Sequence, residues 1–173
     1  MALVLDATPG GVSANSYATV AEADTYHESR LYVTDWTGAT TPDKTAALVM
    51  ATRLLDQMYE WAERSSSTTQ ALQWPRNGML DFLELSNIPS TDIPSQLKNA
   101  TAEFARQLLV ADRSADDDVE TKGIKSLSAG PVSLTFSGTA LPKVIPDAVF
   151  NMIPDHWGFV KSRKAGSREL RRQ

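Results

Sequence analysis

Two histidines, His27 and His156, are all the imidazole this chain of 173 residues carries, and it contains no cysteine. Thiolate zinc sites, iron–sulfur clusters, cysteine nucleophiles and disulfide staples are therefore excluded. His27 stands between Tyr26 and Glu28 within a helical period, where an imidazole packs more readily than it acts as a base. His156, between Asp155 and Trp157, reads as a turn residue. The acidic run Asp116, Asp117, Asp118 and Glu120 lacks the glycine and closing glutamate of a calcium loop, so it reads as a solvated loop. No glycine-rich phosphate loop and no HExxH pair occurs. The expectation is a protein that is not an enzyme, with no cofactor and no metal site.

Charge is the stronger signal. The net charge is −4, but residues 161–173 hold six cations against the single Glu169, a net of +5 that leaves the preceding 160 residues at −9. An acidic body with a basic tail implies that the tail meets an acidic partner separately from the body. Phosphates could be that partner, in contacts that are non-specific and salt-dependent. The 42% apolar content suits one ordinary core. No apolar run reaches the ~18 residues of a membrane span, and the N-terminus lacks a basic region followed by an apolar one. A cytoplasmic product without membrane contact is expected.

The elements that must position these groups are mainly helical. Residues 1–18, with Pro9-Gly10-Gly11 and Ser13 to Ser16, read as an extended arm. Thr19 and Glu22 form a capping box ahead of a helix over Val20–Leu31. Thr41-Pro42-Asp43 starts a second helix that stops near Arg64, with Ala47, Leu48, Ala51, Leu54, Leu55, Met58 and Ala62 on one face. A long connection from Gln70 to Asp92 is studded with apolar residues that could pack it. A third helix follows Pro94, burying Leu97, Ala100, Thr101, Phe104, Ala105, Leu108 and Leu109. Strands at Ile124–Ser128 and Val132–Phe136 form a hairpin, and a short helix lies near Asp147–Met152. The fold class is thus mainly α: a small helical bundle of three main helices and a short C-terminal one, with a projecting β-hairpin and extended arms. The chain divides into an arm (1–18), a helical core (19–121), the hairpin (122–138), the short helix with its aromatics (139–159) and the basic tail (160–173). A lone hairpin is marginal in water, so Ile124, Leu127, Val132, Leu134 and Phe136 are expected to meet a neighbouring subunit or another protein.

The order of motifs carries a resemblance. Asn15 to Tyr26 (NSYATVAEADTY), the helix ALVMATRLLDQMYEW, Gln70 to Arg76 (QALQWPR), and Ile93-Pro94 before LKNATAEFA together resemble the head-to-tail adaptor, or connector, proteins of tailed bacteriophages, over roughly residues 13–110. Chains of this kind also carry the label DnaT-like single-stranded-DNA-binding protein. The adaptor resemblance implies a virion neck protein, made in the host cytoplasm, that forms a ring of copies, usually twelve, beneath the portal. Its partners would be the portal protein, its own neighbouring copies, a downstream stopper or tail-terminator protein, and the genomic double-stranded DNA passing through the lumen. On that reading the portal-docking tail comprises Trp157, Phe159, Lys161, Arg163, Lys164, Arg168, Leu170, Arg171 and Arg172, and the hairpin faces a neighbouring subunit or the next neck protein. The alternative is an accessory protein that binds single-stranded DNA through the tail arginines.

Overall fold

The computed structural model describes residues 3–81, 86–114, 126–129, 132–135 and 143–161. Among them are five α-helices and four two-stranded antiparallel sheets. Helix α1 (Val20–Glu28) begins at the capping box: the Thr19 hydroxyl accepts from the Glu22 amide, and the Glu22 carboxylate accepts from the Thr19 amide. It ends before the expected Leu31. That residue and Tyr32 are among the most exposed apolar side chains, and Tyr32 takes a left-handed φ of 60°. The four-residue α2 (Thr34–Thr37) follows in a stretch without sequence periodicity, and it buries Trp36, whose indole N–H donates to Asp24 at 2.8 Å.

Helix α3 (Thr41–Met58) is capped by Thr40, one residue earlier than the expected Thr41. It stops at Met58 rather than near Arg64. Tyr59 and Trp61 are buried on either side of an exposed Glu60, and this two-residue alternation forms β1 (Tyr59–Trp61). Its partner is almost a hundred residues distant, which is why local periodicity misses it. Helix α4 (Ser95–Val110) lies where expected and packs principally on α3, burying Leu97, Ala100, Thr101, Phe104 and Ala105, whereas Leu108 and Leu109 are only partly covered.

Between α3 and α4 the chain makes β2 (Arg64–Ser65) with β3 (Arg76–Asn77), and β4 (Leu80–Asp81) with β5 (Ser86–Asn87). Among its described residues the connection is packed in part by its own side chains, whereas Leu80 is exposed. Trp74 and Met79 are buried, and the Arg76 guanidinium donates to the carbonyls of Ala62 (2.6 Å), Glu63 (2.6 Å) and Gln73 (2.8 Å). The N-terminal segment is laid onto this core. Tyr17 is buried, its hydroxyl donates to Asp56, and its amide donates to Thr52 at 3.1 Å.

The hairpin is present as β6 (Ser126–Ala129) paired with β7 (Val132–Thr135). Leu127, Val132 and Leu134 stand in these strands, while Ile124 and Phe136 lie outside the described residues. Helix α5 (Asp147–Phe150) and a 3₁₀ turn (Asp155–Trp157) then lead into β8 (Gly158–Val160), which pairs antiparallel with β1 in the register Tyr59–Val160, Glu60–Phe159, Trp61–Gly158.

Candidate nucleic-acid interface

The basic tail leaves the folded body through β8, where three consecutive residues meet three different environments. Trp157 is 1% exposed. Its indole N–H donates to the Leu80 carbonyl at 3.0 Å and its ring lies 5.2 Å from that of Trp74, centroid to centroid. At Gly158 a Cβ would stand 2.5 Å from the Glu60 carbonyl oxygen and 3.0 Å from the Trp61 Cα, so glycine is required for β8 to approach β1 this closely. Phe159 faces outward beside Glu60 and is 60% exposed. The Lys161 amide then donates to the Met58 carbonyl at 2.7 Å and its ammonium to the Gln57 carbonyl at 3.1 Å, which fixes the root of the tail at the C-terminal end of α3.

Trp157 and Phe159, grouped from the sequence as one aromatic anchor for a partner, therefore part company. Strand alternation would put residues two apart on the same face. Trp157 instead belongs to the 3₁₀ turn ahead of β8, which turns its ring into the core of its own chain, and Phe159, within β8, is presented to solvent. Arg163, Lys164, Arg168, Leu170, Arg171 and Arg172 lie outside the described residues.

Among the described residues, several cations of the body are matched internally. Lys44 pairs with Asp24 at 2.8 Å, Lys98 with Glu22 at 2.6 Å, Arg106 with Glu103 at 2.6 Å and Lys143 with Asp147 at 2.7 Å. Burial opposes the charge on Glu103, yet the Arg106 hydrogen bond, with the charges of Arg106 and Arg30, holds its carboxyl below the usual range. Burial also pushes the His27 imidazole below its ordinary value, against the hydrogen bond that Nε2 donates to the Ala102 carbonyl at 3.2 Å. Asp56 moves the other way: burial raises its carboxyl although Tyr17 and the Gln73 amide donate to it. His27 is thus a packed core residue. His156 Nε2 meets the Leu80 carbonyl at 2.9 Å, in the turn where the sequence places it. Among the described residues no group of three or more His, Asp or Glu side chains could hold a metal ion, and no helix is long and apolar enough to cross a membrane. The acidic run 116–120 lies outside the described residues.

Sequence reasoning missed two features. One is the Tyr17–Asp56–Arg76 region, whose members come together only through the packing of the N-terminal segment and the 70–92 connection. The other is a groove of about 660 Å³ between α2, α3 and α4, lined by Asp35, Asp43, Ala46, Met50, Leu108 and Leu109 among others. No local pattern announces it, because Leu108 and Leu109 continue the apolar stripe of α4 past the point where α3 covers it.

A family model described as "Putative DnaT-like ssDNA binding protein" matches residues 1–172. No curated protein and no solved structure matches the chain. The match overturns the head-to-tail adaptor as the leading reading: the description of the matching family concerns single-stranded DNA, and no portal ring enters it. What remains of the resemblance is its second label, and over nearly its whole length the chain belongs to the DnaT-like single-stranded-DNA-binding family.

Proposed function

We propose that this protein binds single-stranded DNA without sequence preference, through the cations of residues 161–173 and the exposed ring of Phe159. The observation that carries the reading is the position of Phe159. Strand β8, paired with β1, presents an aromatic face to solvent directly before a segment with six cations and one anion. Single-stranded DNA is held by this combination of base stacking on aromatic rings and phosphate neutralisation by lysine and arginine. The acidic body supports a contact confined to the tail and its root, because the negative surface repels phosphate elsewhere. The proposed activity is binding alone, with no covalent step.

Fluorescence anisotropy with a labelled oligothymidine tests the reading. Affinity should fall with salt along a log–log slope of at most about −4, since each of up to six neutralised phosphates contributes roughly −0.7 on a single strand. Deleting residues 161–173 should abolish binding while leaving the helical circular-dichroism signal in place. Absence of binding by the full chain at low salt would end the proposal.

A further inference from the structure

The groove between α2, α3 and α4 has an apolar floor and an acidic rim. Ala46, Met50, Leu108 and Leu109 form the floor, and Asp35 and Asp43 stand at the edge. Asp35 lies 4.0 Å from Arg106, a cation already committed to Glu103 at 2.6 Å, and the Asp35 side chain remains 46% exposed. Asp43 accepts only the Thr40 hydroxyl, at 2.6 Å, and it too is exposed. The last turn of the 16-residue α4, which supplies Leu108 and Leu109, carries no basic residue. Its terminal carbonyls therefore add partial negative charge to the same edge. Such a surface suits an occupant with one apolar side chain flanked by cations.

The chain contains such a segment. In Arg168-Glu169-Leu170-Arg171-Arg172 a single leucine is flanked by three arginines and one glutamate. Its tether also has the right length. Lys161 is pinned beside Met58, and Asp43, Ala46, Ala47 and Met50 lie on one face of α3 at three- and four-residue spacing. From Met58 back to Met50 and Ala46 is about 12–18 Å at 1.5 Å per helical residue. Leu170 follows Lys161 by nine residues, a root-mean-square reach of roughly 15–18 Å for a flexible chain. A tether whose average length matches its span gives the highest effective concentration at the site. We infer that the groove is a docking site for the chain's own C-terminal segment, with Leu170 on the apolar floor and its flanking arginines against Asp35 and Asp43. The inference goes beyond DNA binding and does not require it. Where both hold, groove and DNA compete for the same arginines, and the acidic rim weakens the hold on DNA.

The absence of cysteine and the five methionines make the test direct. A nitroxide is attached to the full chain through Ser167→Cys, with the methionines labelled at the methyl carbon. Met50 reports on the groove, while the buried Met79 and the partly buried Met152 serve as references. The expected result is that Met50, relative to the reduced label, shows an intensity loss in excess of that at Met79 and Met152 and of what the free tether's effective concentration alone gives. This loss should disappear in about 1 M salt, where screening acts over ~3 Å. It should also disappear in Leu170→Ala and in the double variant Asp35→Asn/Asp43→Asn. An unaffected Met50 would overturn the inference. So would a Met50 that broadens only when spin-labelled chains are mixed with separate methyl-labelled chains, because the occupant would then be the tail of a second copy. No DNA is present in this experiment, so its failure is separable from failure of the DNA-binding reading.

Discussion

Trp157 and Phe159 are two residues apart, and removing each ring should produce opposite phenotypes. Trp157→Ala deletes one of the largest fully buried side chains, a change that costs about 3–5 kcal/mol in a well-packed core. Little of that cost comes from the lost indole hydrogen bond, because the Leu80 carbonyl keeps His156 Nε2 at 2.9 Å. With a urea m-value near 2 kcal/mol/M, the unfolding midpoint should drop by roughly 1.5–2.5 M. Below that midpoint, oligothymidine affinity should stay within about twofold of wild type, because the ring lies inside the body. Phe159→Ala should do the reverse. Its ring is 60% exposed, so stability should change by no more than about 0.5 kcal/mol. The loss of one base-stacking contact, worth about 1–3 kcal/mol, should weaken DNA binding roughly 5- to 150-fold. The assays are urea titration followed by circular dichroism and anisotropy on the folded fraction, with Trp157→Phe as a milder variant if the alanine does not fold. A stable Trp157→Ala that has lost DNA affinity would refute the assignment of the two rings to core and interface.

Other consequences follow from the buried polar groups. Arg76→Met should lower the melting temperature by about 6–12 °C, because carbonyls of Ala62, Glu63 and Gln73 lose their shared donor, at a combined cost of roughly 3 kcal/mol; calorimetry would show it. Gly158→Ala should also destabilise the fold, by pressing a methyl onto the Glu60 carbonyl, and loss of the β1–β8 amide protection in hydrogen exchange would locate the damage. His27 has a folded pKa below its unfolded value. As pH falls through the ordinary histidine range the unfolded chain takes up a proton before the folded one, so stability declines. His27→Gln should flatten that part of the urea-midpoint profile, and an unchanged slope would exclude the buried imidazole as its source.

What could be read without coordinates is what short-range chemistry decides. The Thr19–Glu22 capping box, the start of α3 around Thr41-Pro42-Asp43 and the apolar faces of α3 and α4 depend on neighbours three or four residues away, and each is found close to its expected place, the α3 cap one residue earlier at Thr40. The charge contrast between body and tail is composition, and it needs no fold. The end of α3 was not legible in the same way, because Met58 and Ala62 keep the helical spacing while Tyr59 and Trp61 pair with a strand about a hundred residues later. Nor could periodicity separate Trp157 from Phe159. Burial of one and exposure of the other depend on where β1 lies, and on a glycine whose need appears only when the Glu60 carbonyl is 2.5 Å from its would-be Cβ. The groove belongs to the same class. Leu108 and Leu109 continue a core-like stripe, and only the extent of α3's coverage leaves them open beside Asp35 and Asp43. Helix starts, helix faces and the sign of each charged segment are legible along the chain, since these are local or additive. Tertiary structure alone decided which aromatic ring reaches solvent and where the acidic and apolar surfaces meet, because both depend on contacts between residues far apart in the chain.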